Sequence, residues 1–105
     1  MDIDFCLELG GKHLILGEFK RKGKAVPYGQ KRAITTLAIA AHQGGMGVLA
    51  FIARHDSKVS DIVAAHECLV SEVFLPPSQC WRPPMGGDRR VRELIEAWLA
   101  WRRAQ

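Results

Sequence analysis

Apolar and polar positions alternate from the start of the chain. Ile3, Phe5, Leu7 and Leu9 fall on one side, and Asp2, Asp4, Cys6 and Glu8 on the other. This period of two predicts a strand over residues 3–9. A second strand is predicted over 13–20, with Gly10, Gly11 and Lys12 as the turn of a hairpin. A basic loop over 21–26 runs to Pro27. Ile34, Leu37, Ala38 and Ala41 then recur at helical spacing and predict a helix over about 28–42, stopped by Gly44 and Gly45. The almost wholly apolar run 48–53 predicts a buried strand, and a strand–helix–strand order favours a parallel crossover. Between residues 60 and 75 the pattern is mixed. Residues 61–65 can open a helix, whereas "ECLVSEVFL" (67–75) is rich in β-formers and predicts a strand. "PPSQCWRPPMGGD" is a loop. Asp88 is a good N-cap for a last helix whose apolar stripe is Val91, Leu94, Ile95, Trp98 and Trp101.

The hairpin carries acids where a plain core strand would not. With a three-residue turn, Leu9 lies opposite His13, Asp4 opposite Glu18 and Asp2 opposite Lys20. Opposed residues have Cβ atoms about 5 Å apart, and like charges there repel. A divalent cation offsets that repulsion, and oxygen ligands suit Mg²⁺. Lys20, one step along the face, can stabilise charge growing on a phosphate. With a two-residue turn Leu9 faces Lys12 and Glu18 faces Ile3, and the acids part company. Both strand faces carry apolar residues, so hydrophobicity does not choose between the registers. The plainer alternative is a half-exposed hairpin with solvated charges.

Composition narrows the class. The 105 residues suffice for one domain, 1–105, with a core of its own. A net charge of +4 suits a polyanionic partner. Three cysteines at irregular spacing predict reduced thiols and an intracellular, cytoplasmic protein. No signal peptide is visible, and no apolar run approaches the roughly 20 residues that span a bilayer, so no membrane partner is expected.

An Asp, about a dozen residues, then an apolar strand ending in Glu-x-Lys resembles the PD-(D/E)xK nuclease superfamily. The elements here are Asp4 and "LILGEFK". The segment "PYGQKRAITTL" is similar to the one that follows this strand in the replication-repair nuclease (VRR-NUC-like) branch and its phage relatives, where a Gln opens the helix. "HECLVSEVF" and "CWRPP" resemble a strand and a Trp-containing loop of small phage proteins of this kind. The likeness covers residues 2–101. It implies an α/β (α+β), restriction-endonuclease-like mixed sheet with flanking helices, and an Mg²⁺- or Mn²⁺-dependent DNA nuclease; the expectation is a DNA endonuclease or a structure-selective, resolvase-like nuclease. Carried over by position, Asp4 and Glu18 are metal ligands, with the Phe19 backbone carbonyl as a third and Asp2 as second choice. Lys20 is the catalytic lysine, and Gln30 steadies the site or a phosphate. Family members usually carry a helix and a strand before the Asp, and often a Pro next to it. That Pro is dispensable in many relatives, but a start so close to the motif leads to the expectation of a homodimer or higher oligomer completing the site, or of reduced or absent activity. A phage-encoded chain would work in the bacterial host cytoplasm.

Lys12, Arg21, Lys22, Lys24, Lys31 and Arg32 are expected to cluster near this site and contact DNA phosphates, unless they form only a solvated basic face. Tyr28 can stack on a base, though packing is the commoner fate of such a residue. His55, His66, Cys68 and Cys80 do not have zinc-finger spacing, and His66 and Cys68 read as strand residues. Trp98 and Trp101 read as core, with self-association the sharper alternative. Arg102 and Arg103 favour the C-terminal dipole of the last helix. "HQGGMG" follows a helix and precedes a strand, the reverse of a phosphate-cradling loop. Two rivals to the endonuclease reading stand: a non-catalytic DNA- or protein-binding module on the same fold, and a structural protein whose Trp-bearing helix is an interface.

Overall fold

The computed structural model describes residues 3–56 and 64–105. Their strands form one mixed sheet in chain order: β1 (Phe5–Leu9), β2 (His13–Arg21), β3 (Gly47–His55), β4 (Leu69–Phe74) and β5 (Trp81–Arg82). Helix α1 (Tyr28–Gln43) joins β2 to β3, and α2 (Val91–Arg103) follows β5. β2 and β3 are parallel, while the other neighbours are antiparallel. This is a mixed α/β sheet with flanking helices, consistent with a restriction-endonuclease-like fold.

Strand periodicity divides the core into two layers. Leu16, Val48 and Ala50 point to α1 and pack with Ile34, Ala38 and Phe74. Ile15, Leu49, Phe51 and Ala53 point the other way and pack with Val91 and Trp98 of α2 and with Cys68 and Val70. With a layer on each side, β3 is buried from Gly47 to Ala53, which is why it reads as an unbroken apolar run.

The turn decides the register. Gly10 (φ 61°) and Gly11 (φ 71°) both adopt left-handed backbone, and Lys12 N–H donates to Leu9 C=O at 3.1 Å. The connection is therefore three residues long, and Leu9 pairs with His13.

Several local expectations are corrected. β1 starts at Phe5, not Ile3, because the chain bends at Asp4 and Ile3 packs on the α1 side. Of residues 61–65, 61–63 lie outside the described residues, and Ala65–Glu67 forms one 3₁₀ turn. His66 therefore sits in that turn, and Cys68 precedes β4. Asp88 does not cap α2. Residues 89–91 are pinned to the start of β4 by Val70 N–H to Arg89 C=O (2.8 Å) and Val91 N–H to Cys68 C=O (3.0 Å). The helix therefore begins after Arg90, whose N–H donates to Glu93 Oε1 at 3.0 Å. The proline-rich loop contains β5, anchored where Trp81 Nε1 donates to Thr35 Oγ1 at 2.9 Å and the indole packs 5.4 Å from the Phe74 ring. Trp101 is 53% exposed, whereas Trp98 is 7% exposed, so only Trp98 is core. Among the described residues no helix is long and apolar enough to cross a membrane.

Candidate active site

Lys20 and Glu18 alternate with Phe19 along β2. Phe19 packs on the α2 side, which turns Glu18 and Lys20 to the α1 side. Glu18 is 2% exposed, and its Oε1 lies 3.4 Å from Lys20 Nζ. Lys20 keeps a quarter of its side-chain surface in solvent, so its ammonium bridges the buried carboxylate and the outside.

Asp4 reaches the same point by a different route from that expected. Continuing the β1–β2 register would set it opposite Glu18, but the bend turns its side chain along the sheet edge. There Oδ2 accepts the N–H of Phe19 at 2.9 Å. A strand residue directs its N–H and C=O toward the same neighbour. The Phe19 carbonyl therefore also faces the β1 edge, where Asp4 lies. The exposed Asp4 on the Phe19 amide and the Glu18–Lys20 pair on the α1 face thus lie at the same end of β2. Asp2 lies outside the described residues. Among the described residues no three His, Cys, Asp or Glu side chains gather as a metal-binding group, so the donors on offer are two carboxylates and one carbonyl, all hard oxygens.

This end of the sheet is also where α1 begins, since the chain leaves β2 at Arg21 and enters the helix at Tyr28. In open sheets the crevice beyond the C-terminal ends of parallel strands is the usual ligand site. Pro27 (φ −55°) leads the chain into α1 without an N–H to satisfy. Gln30 stands in the first turn. Its Oε1 is buried and accepts no hydrogen bond among the described residues.

The basic residues do not form one cluster. Lys12 lies in the turn at the far end of β2, eight residues from Lys20, or roughly 26 Å at strand rise. Lys31 is occupied: its Nζ lies 3.0 Å from both carboxylate oxygens of Glu72 and 5.3 Å from the centre of the Trp81 ring. Arg21, Lys22 and Lys24 surround the exit of β2, and Arg32 is exposed on α1. Tyr28 is 79% exposed, so it is not a packing residue.

Two participants escaped the sequence pattern. Arg54 pairs with Lys20 across β2–β3, and its guanidinium donates to the carbonyls of Lys24 and, at 3.5 Å, of Arg21. It thereby ties the basic loop to the sheet. Glu72 pairs with Ile52, itself opposite Glu18, and so lies two strands from Glu18 in the same row. A lone acid within an apolar strand was the only available signal for Glu72; Arg54 needed the strand register.

No family model matches the chain, and neither a curated protein nor a solved structure does.

Proposed function

We propose that this chain is a metal-dependent DNA endonuclease. The observation that supports the reading is the Asp4 carboxylate on the N–H of Phe19, the residue between Glu18 and Lys20 in β2. Asp4, Glu18 and the Phe19 carbonyl would hold Mg²⁺ or Mn²⁺; such ions accept few protein ligands and retain water. When bound, the ion supplies Lewis acidity at a phosphoryl oxygen and makes water a better nucleophile at neutral pH. Lys20 donates hydrogen bonds to the charge that grows on the phosphate, and Glu18 holds the ammonium in place at 3.4 Å. Arg21, Lys22, Lys24 and Arg32 offer phosphate contacts beside this point, and the exposed Tyr28 offers a face for an unstacked base.

The burial of Glu18 favours a second reading, a binding module in which Glu18 and Lys20 form only a structural ion pair. Cleavage of supercoiled and branched DNA in Mg²⁺ or Mn²⁺ separates the two. The nuclease reading expects cutting that EDTA abolishes and that falls roughly a hundredfold in Glu18→Gln and in Lys20→Met. Undiminished cutting by both variants overturns it. DNA binding without cutting under either metal establishes the binding module instead.

A further inference from the structure

The face of the sheet opposite the acids carries a groove of about 610 Å³ between α2 and the segment that follows β5. Leu75, Leu94, Trp98 and Trp101 line its apolar part, and Pro83, Pro84 and Met85 form one bank. Its volume falls in the range of ligand-holding clefts. Met85 is 88% exposed and Trp101 53% exposed, so two large apolar side chains stand in water at its mouth. Exposed apolar surface of this kind marks a partner site.

Charge narrows the partner. The charged residues lining the groove are Arg82 and Arg89, with no acid among the lining residues. Each arginine spends its Nε on a local acceptor: Arg82 on Cys80 Sγ at 3.0 Å, and Arg89 on the Met85 carbonyl at 3.2 Å. These bonds orient the guanidinium groups, and among the described residues neither arginine carries an ion pair. A two-fold dimer through this face would place two sets of arginines in one interface with no acid among the lining residues to pair with them, which disfavours a second copy. DNA satisfies the arginines but not the apolar floor. A lipid surface cannot enter a cleft set between a helix and a loop.

We propose that this groove docks a short linear segment of another protein, one that carries bulky apolar side chains beside Asp or Glu. The apolar side chains fill the cleft against Trp98 and Trp101, and the carboxylates pair with Arg82 and Arg89. Buried aromatic residues with flanking arginines are the usual energetic centre of such interfaces. Because the groove and the acid site lie on opposite faces of the sheet, this inference stands apart from the nuclease reading.

The test is selection of random twelve-residue peptides displayed on phage against the full chain. Affinities of the enriched peptides are then measured by fluorescence anisotropy, and circular dichroism verifies that each variant is folded. The expected result is enrichment of peptides combining Leu, Phe or Trp with Asp or Glu. Their affinity should fall about tenfold in Trp101→Ala and about tenfold in Arg89→Glu. Failure to enrich any peptide overturns the proposal. So does enrichment of peptides without acids, or of peptides that bind both folded variants as tightly as the parent chain. Sedimentation velocity supplies the remaining arm: a dimer that Trp101→Ala dissolves would show that a second copy occupies the groove, and would overturn it too.

Discussion

The ring of Phe51 stands directly over Gly17. A Cβ built on Gly17 would come within 2.3 Å of the ring's Cζ and 2.7 Å of both Cε atoms. The two residues pair across the parallel β2–β3 ladder, and the ring continues into contacts with Phe5 and Phe19, each 5.7 Å away centre to centre. Gly17 immediately precedes Glu18, so the aromatic layer on one face sets the backbone from which the acid on the other face projects. Gly17→Ala is expected to destabilise the fold by about 1–3 kcal/mol through overpacking. Phe51→Leu should relieve part of that cost in the double variant. Denaturant unfolding of the four species measures the coupling, and simple additivity would show that the ring does not press on Gly17.

The two tryptophans of α2 are expected to differ sharply. Trp98 is buried and meets His13 edge-on, with ring centres 5.6 Å apart. Trp98→Ala should cost about 3–5 kcal/mol. Trp101 stands on the groove's rim, and its replacement by Ala should change stability by less than about 1 kcal/mol. Thermal or denaturant unfolding of the two variants checks the order.

Much of this architecture is legible in the chain because local and global preferences agree. The existence of the hairpin, the helix after Pro27 and the apolar strand 48–53 can each be read from the pattern, and together they favour a parallel crossover. The acids of the hairpin could be singled out, but not their geometry. Two turn lengths fit the pattern, and neither foretells that Asp4 leaves the ladder to grip a backbone amide. β5 was missed because prolines mask a strand of two residues. Its existence depends on Trp81 reaching Thr35, a contact 46 positions apart in the chain. Lys12 stands away from the acids for a related reason: composition reports how many cations there are, whereas the length of β2 decides where this one sits.

Lys31 and Glu72 tie α1 to β4 by a two-oxygen ion pair, with each side chain 32% exposed. Solvent screens such a pair, so its worth is modest. A double-mutant cycle with Lys31→Met and Glu72→Gln should give a coupling of at most about 1 kcal/mol. Raising the salt concentration should reduce it. A coupling that salt leaves unchanged would point to packing of the lysine stem on Trp81 as its source.

The three thiols should react in the order of their exposure: Cys6 first, then Cys80, then Cys68. Burial pushes the Cys68 thiol above its ordinary value of 9.0, and the nearby charge of Asp56 pushes in the same direction. The folded chain then retains a proton that the unfolded chain has lost. The stability contributed by Cys68 is complete below about pH 9 and falls as the pH rises above it. Unfolding curves at neutral and strongly alkaline pH should therefore lie further apart in the wild type than in Cys68→Ala. Equal alkaline loss in both would exclude this thiol as a cause. Mass-resolved iodoacetamide labelling tests the order of reactivity independently.

The Phe19 amide offers the most direct view of the acid site. Its N–H is held by Asp4 Oδ2 at 2.9 Å in a charge-assisted bond. In Asp4→Ala this amide should exchange with solvent faster, while amides deep in β3 keep their protection. The same bond makes Asp4 a reporter of cation binding. An ion shared by Asp4, Glu18 and the Phe19 carbonyl must draw the Asp4 carboxylate toward itself and lengthen its bond to the amide. In a ¹⁵N-resolved titration with Mg²⁺, the Phe19 amide signal should therefore move and saturate, with Lys20 following. Lys12, at the far end of the same strand, should stay still. The shift should vanish in Glu18→Gln, since one carboxylate and one carbonyl make a poor site for a hard cation. Uniform small shifts along β2, or a response that survives Glu18→Gln, would remove the cation from this end of the sheet and the hydrolytic reading with it.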